Sequence, residues 1–292
     1  MQRYSFFCEQ PNFYKVFFAK PLIFRSFVLV KPLLGCLAQV KWLLVCINFE
    51  QMLIKTRAIV LRAFRYGETQ LIIELLTEQC GRVSFINKVP RTAKAKIKKQ
   101  LFQPLTILDL EFERRPNTNL QHIRDVQLAY PFRSIPFDAG KLSISLFLSE
   151  FLCYATKDEQ DNRPLFKYVE TSMCWLDEAQ HSFANFHLTF MMRLSRFLGF
   201  YPNLDDYSEG CLFDLRNGCF APVTPLHPDF LTIDETRKIN LLMRMTPDTM
   251  HLFTMSRQER NRCTEIILTF YRLHIPNFPE LKSFEVLREL FV

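Results

Sequence analysis

The sequence predicts an α+β protein in which a strand-rich N-terminal domain precedes an α-helical one. Three observations carry that prediction. Between Met52 and Tyr130 apolar and polar residues alternate with period two, after Pro131 apolar residues recur with period 3.6, and glycine or proline stands at most joints between segments. A chain of 292 residues, 48% apolar and 23% charged, is long and apolar enough for two cores, which excludes disorder throughout.

Residues 53–65 and 69–77 are rich in Ile, Leu and Val and are joined through Gly67, so they read as the first two strands. The stretch TEQCGR supplies a turn at Gly81, after which Val83 and Phe85 alternate with Arg82 and Ser84 in a half-buried third strand. From Pro104 a fourth strand sets Leu108, Leu110 and Phe112 on one face and Asp109, Glu111 and Glu113 on the other. RRPNTN turns the chain at Pro116 and Asn117, and residues 120–130 give the fifth strand, with Val126 and Leu128 on either side of Gln127. Five strands in roughly 80 residues, with the longest insert between the third and fourth, is the sequence shape of a small closed barrel of the OB type.

Beyond Pro131, Ile144, Phe147, Leu148, Phe151 and Ala155 form one helical stripe, and Phe183, Phe186, Phe190, Met191, Leu194 and Leu198 form another that Gly199 and Pro202 stop. Ser256 and Glu259 make a capping box ahead of Cys263, Ile266, Ile267, Phe270 and Leu273. These stripes read as core packing. The expected organisation is therefore an extension over residues 1–51, an OB domain over 52–132, and a helical domain over 133–292.

The connection between the third and fourth strands is the most unusual stretch. Residues 82–99 hold seven basic residues, Arg82, Lys88, Arg91, Lys94, Lys96, Lys98 and Lys99, and no acid. A charge run is ordinarily a solvated face. Beside an OB barrel, however, such density is what a track for a phosphate backbone requires, and lysines serve phosphates as mobile point charges without reading bases. Phe64 and Phe102 read as core, with stacking on bases as the alternative.

The formal net charge of +7 favours an anionic partner, nucleic acid or membrane headgroups. Nine cysteines with no paired spacing point to reduced thiols and a cytoplasmic location. Residues 1–51 are crowded with phenylalanine and broken by Lys20, Arg25, Lys31, Lys41, Pro21 and Pro32, with no apolar run long enough to span a bilayer and no signal-peptide layout. That stretch reads as a spurious or disordered extension with translation starting at Met52, against the alternative of a membrane-attached segment.

No phosphate-cradling glycine loop, zinc-protease motif or nucleophile elbow occurs, and the six histidines are scattered, so no catalytic residues and no cofactor are expected. Asp205, Asp206 and Glu209 match no calcium loop.

The stretch AIVLRAFRYGETQLIIELLTEQCGRVSFINK, the basic run with LFQPL, LSEFLCYAT and RLSRFLGFYPNL together resemble the RecO family of bacterial DNA recombination and repair proteins over residues 52–292. The resemblance implies an OB domain and a helical domain that bind single- and double-stranded DNA and anneal complementary strands. It also implies action with RecR and the single-stranded DNA-binding protein (SSB) to load RecA.

Two departures stand out. Many family members carry a four-cysteine zinc module after the Gly-Phe-x-Pro stretch, whereas this chain offers only Cys211 and Cys219, with His227 as a further candidate. No zinc is expected; Phe213, Leu215 and Phe220 predict instead a small hairpin insert near 203–225, turning at Asn217-Gly218. The basic connection also has Val89-Pro90 where the family often has glycine.

An RNA-binding OB protein and a membrane-surface protein using residues 1–51 are the competing function classes. Within the RecO reading, a helix over 183–198 would leave Arg193 and Arg196 on an exposed face beside apolar side chains. The resemblance implies that the helical domain receives the acidic C-terminal tail of SSB, and Arg193 and Arg196 are the residues suited to grip its carboxylates.

Overall fold

Residues 52–88, 97–115 and 118–289 are described by the computed structural model, and the expectation for residues 1–51 lies outside them. Among the described residues the strand-rich part forms one sheet from β1 (Met52–Tyr66), β2 (Gln70–Thr77), β3 (Gly81–Lys88), β4 (Ile107–Arg114), β5 (Leu120–Gln121) and β6 (Ile123–Tyr130). The sheet order is β5-β3-β2-β1-β4-β6. The predicted fifth strand thus comes as two pieces. With only His122 between them they lie at opposite edges, β5 parallel to β3 and β6 antiparallel to β4.

Strand β1 is long because it serves two neighbours. Met52–Ile59 pairs with β4 and Ala58–Tyr66 with β2, and the register jumps between Val60 and Arg62, which makes Leu61 a bulge residue. Ala58 and Val60 face a cluster with Leu71, Ile73, Leu75, Phe85, Leu110 and Phe112, while Ile59 and Leu61 join the core of the helices. Burial on both faces explains the unbroken apolar run Ala58–Leu61, where alternation fails. The sheet and the helices consequently share one continuous packing boundary along β1.

The helical part contains α1 (Ala139–Ala155), α2 (Arg163–Glu178), α3 (Phe186–Phe197), α4 (Ile233–Arg244), α5 (Arg257–His274) and α6 (Ser283–Arg288). Their ends are fixed by short polar side chains: Asp138 accepts from the Lys141 N–H, Asn162 from the Leu165 N–H, and Ser256 and Glu259 form the reciprocal capping box. The predicted stripe of α1 is buried throughout. Phe151 meets Tyr271 edge-on at 4.8 Å, and the Tyr271 hydroxyl donates to the Met191 carbonyl at 2.7 Å. Helix α3 starts three residues later than expected, because Ser182 adopts φ 61° and Asn185 occupies the cap position. His187 on α3 is wholly buried; desolvation, with Arg260 nearby, pushes its pKa down to about 3, so it is a neutral core histidine.

A second sheet joins β7 (Leu212–Asp214), β8 (Cys219–Ala221) and β9 (Phe230–Leu231) in the order β8-β7-β9. Phe213 pairs with Phe220 across β7 and β8, and Gly218 has the positive φ of 62°. The Asp214 carboxylate organises the turn by accepting the N–H groups of Arg216 and Asn217 and the Asn217 amide. His227, the third candidate zinc ligand, lies 3.3 Å from that same carboxylate. Among the described residues no group of three or more His, Cys, Asp or Glu could hold a metal ion.

Candidate nucleic-acid interface

The bulge at Leu61 decides what the far end of β1 presents. Before it, even-numbered residues face the cluster that holds Phe85 and Phe112; after it Ala63 packs toward that cluster and Arg62, Phe64 and Tyr66 turn to the other face. Phe64 is 42% exposed and Tyr66 58% exposed, which corrects the expectation that Phe64 is core. Phe102 does belong to the interior and anchors the short 3-10 turn Lys99–Phe102.

Across the strands, Phe64 is in register with Ile72 and, one strand further, Ile86, and Tyr66 with Gln70 and, one strand further, Lys88. Two exposed aromatic rings, two half-buried isoleucines and a lysine therefore share the outer face of β1, β2 and β3. The Arg62 guanidinium sits 5.5 Å from the Phe64 ring centroid and 2.6 Å from Glu74. Such a face can stack bases while flanking cations hold phosphates.

The basic connection leaves from this same end of β3. Lys88, Lys98 and Lys99 are exposed, whereas Arg91, Lys94 and Lys96 lie outside the described residues. Arg82, at the other end of β3, is not part of the group. Its guanidinium is shared between the Glu74 carboxylate and the Cys153 carbonyl at the end of α1, and its side chain is only 12% exposed. Buried pairing, rather than phosphate contact, accounts for that arginine.

The exposed arginine face expected on α3 is also changed. Arg193 is half-buried and donates to the Met245 carbonyl at 3.3 Å. Arg196 is exposed, with its guanidinium 4.6 Å from the Tyr201 ring centroid.

No helix among the described residues is long and apolar enough to cross a membrane. Family comparison matches residues 52–132 to the description "Recombination protein O N terminal" and residues 136–283 to "Recombination protein O C terminal". The chain is 54% identical over 240 residues to the DNA repair protein RecO of Phocaeicola vulgatus, and 53% identical over 241 residues to that of Bacteroides fragilis. A more distant relative, the DNA repair protein RecO of Flavobacterium psychrophilum, is 34% identical over 241 residues. Each match covers 82% of this chain and 100% of the relative.

Proposed function

Because this chain belongs to the recombination protein O family, we propose that it works in DNA repair and homologous recombination by binding single- and double-stranded DNA. In this reading it anneals complementary strands and, with RecR, helps load RecA onto SSB-coated DNA. The observation that carries it is the outer face of β1 to β3, where Phe64 and Tyr66 stand exposed beside Lys88 at the root of the basic connection. The fold that goes with this reading is a closed OB-type barrel, supported by the placement of β5 and β6 at opposite edges with one residue between them. The activity is one of binding and strand annealing, with no catalytic side chain assigned.

Titration of the full chain with single-stranded DNA, duplex DNA and single-stranded RNA over a salt series tests the proposal. Alanine at Lys94, Lys96, Lys98 and Lys99 is expected to reduce the slope of log affinity against log salt by roughly 0.7 per lysine on single strands, equally across sequences. Alanine at Phe64 or Tyr66 should instead weaken binding by about 1–3 kcal/mol at every salt concentration with the slope retained, because stacking releases no counterions. Tighter binding of RNA than of DNA would favour the RNA-binding alternative. Unchanged slopes would leave the connection as a solvated face.

For the SSB tail, the reading places its carboxylates at Arg196 and Arg193. Calorimetric titration with a peptide of that tail should show weaker binding for Arg196→Ala, the exposed partner, and a smaller loss for Arg193→Ala, whose guanidinium already serves Met245. Equal affinities in all three proteins would remove both residues from the partner site.

A further inference from the structure

Several cations on the outside of the sheet are neutralised by neighbours. Lys55 lies 3.1 Å from Glu111, Arg57 is joined to Glu170 and lies 3.8 Å from Asp109, and Arg124 reaches Glu111 at 3.5 Å and Glu113 at 3.4 Å. A cleft at the far end from the basic connection departs from this pattern. It lies at that end of β3, has a volume of about 490 Å³ and is lined by Arg82, Arg114, Arg115 and Lys157 and by no Asp or Glu. Arg82 is neutralised by Glu74, but among the described residues Arg114, Arg115 and Lys157 enter no ion pair.

The cleft is built rather than incidental. Gln121 is buried beneath it, and its amide donates to the Arg115 carbonyl at 2.9 Å and the Thr118 carbonyl at 2.7 Å while accepting from the Arg115 N–H at 2.8 Å. That buried amide fixes the backbone that carries Arg115. Thr77 does the same for the opposite wall, accepting the Cys80 N–H and donating to the Gly81 carbonyl. Burial pushes the Cys80 thiol up despite the Arg114 charge beside it, so it adds no negative charge to the wall. The Asp161 charge also raises that thiol, and Asp161 has Arg163 at 3.8 Å. Lys157 comes from the segment just after α1, so sheet and helices contribute together.

We infer that this cleft is a second phosphate site, in which Arg114, Arg115 and Lys157 grip the backbone of the bound nucleic acid at a point separate from the lysine connection. The inference rests on the nucleic-acid-binding reading above. Two guanidinium forks and an ammonium suit phosphodiester oxygens, and no carboxylate lines the wall they share. The separation follows from the strand: six residues from Arg82 to Lys88 at about 3.3 Å each put the two patches roughly 20 Å apart. Contributions from groups that far apart should add.

The test is a salt series of single-stranded DNA binding by the full chain, comparing wild type, the triple variant Arg114→Gln/Arg115→Gln/Lys157→Gln, and the control Lys55→Gln/Arg124→Gln. The triple variant should lose about 2 from the slope, roughly 0.7 for each phosphate contact, and the control almost nothing. The single variant Lys157→Gln, a change at an exposed position, should lose about a third of that and guards against misfolding of the triple. If wild type binds DNA and the triple variant keeps its slope, the cleft assignment fails while the proposed function stands. A control that loses as much per charge as the triple would also overturn it, since net charge alone would then be the cause. Absence of DNA binding by wild type would overturn both.

Discussion

Gly81→Ala is expected to cost about 3 kcal/mol or more of unfolding free energy, against about 1 kcal/mol for Gly67→Ala. Both glycines turn the chain with positive φ, 64° and 62°, so each alanine bears the left-handed strain. They differ in what surrounds them. A Cβ on Gly67 meets nothing within 4 Å, whereas one on Gly81 would lie 2.1 Å from the Gln160 carbonyl oxygen and 2.6 Å from that of Glu159. Those are backbone atoms of the segment between α1 and α2, and the Arg82 N–H already donates to the Glu159 carbonyl at 3.1 Å. Accommodation would require the β2–β3 turn to lift away from the helices. Urea denaturation of the two variants reads the difference, and equal losses would show that the turn is not held against that segment.

The elements whose periodicity depends only on nearest layers were legible in the sequence. Alternation at Leu108, Leu110 and Phe112 and the capping box at Ser256 and Glu259 both appear where expected. What the sequence concealed is non-local. Phe64 reads as interior if alternation from Ala58 and Val60 is continued, and only the extra residue at Leu61 turns it outward. Nothing in the local pattern announces a bulge inside an apolar run, because all of Ala58–Leu61 is buried for two different reasons.

The site was legible in its charge and not in its partners. Lys88, Lys98 and Lys99 are exposed as a basic track requires, but Arg82 reads as one of them only because sequence adjacency cannot reveal a carboxylate on the neighbouring strand and a carbonyl 71 residues away. Conversely, Arg114 and Arg115 read as part of a turn. Their role in a cleft depends on Lys157, which only the docking of sheet on helices brings near. Arg193 shows the same limit: helical spacing placed it on a neighbouring face, and the Met245 carbonyl, supplied after α4, covers that face.

Glu74→Gln is expected to destabilise the protein by about 3 kcal/mol at neutral pH, the scale for leaving a buried ion without its counter-charge. Burial would raise the Glu74 carboxyl, but Arg62 and Arg82 together hold it below its ordinary value. The two arginines are not equivalent. Arg62 is nearly half exposed, so water can take over its solvation and its loss of partner costs little, whereas Arg82 is only 12% exposed and cannot be rehydrated in place. Arg82 also satisfies the Cys153 carbonyl near the end of α1, so a shifted guanidinium would leave a helix-terminal acceptor unpaired. Pairing Glu74→Leu with Arg82→Met should recover part of the loss, because an apolar pair removes both charges, but not all of it, because the carbonyl stays bare. The pH dependence has a definite sign. With the folded pKa below the unfolded one, the unfolded chain takes up the proton first as pH falls, so the contribution is complete above the ordinary carboxylate range and is lost as pH drops through the lowered folded value. Wild type and Glu74→Gln should therefore converge in stability toward acid pH, and parallel stability curves between neutral and acid conditions would show that this carboxylate does not hold sheet and helices together.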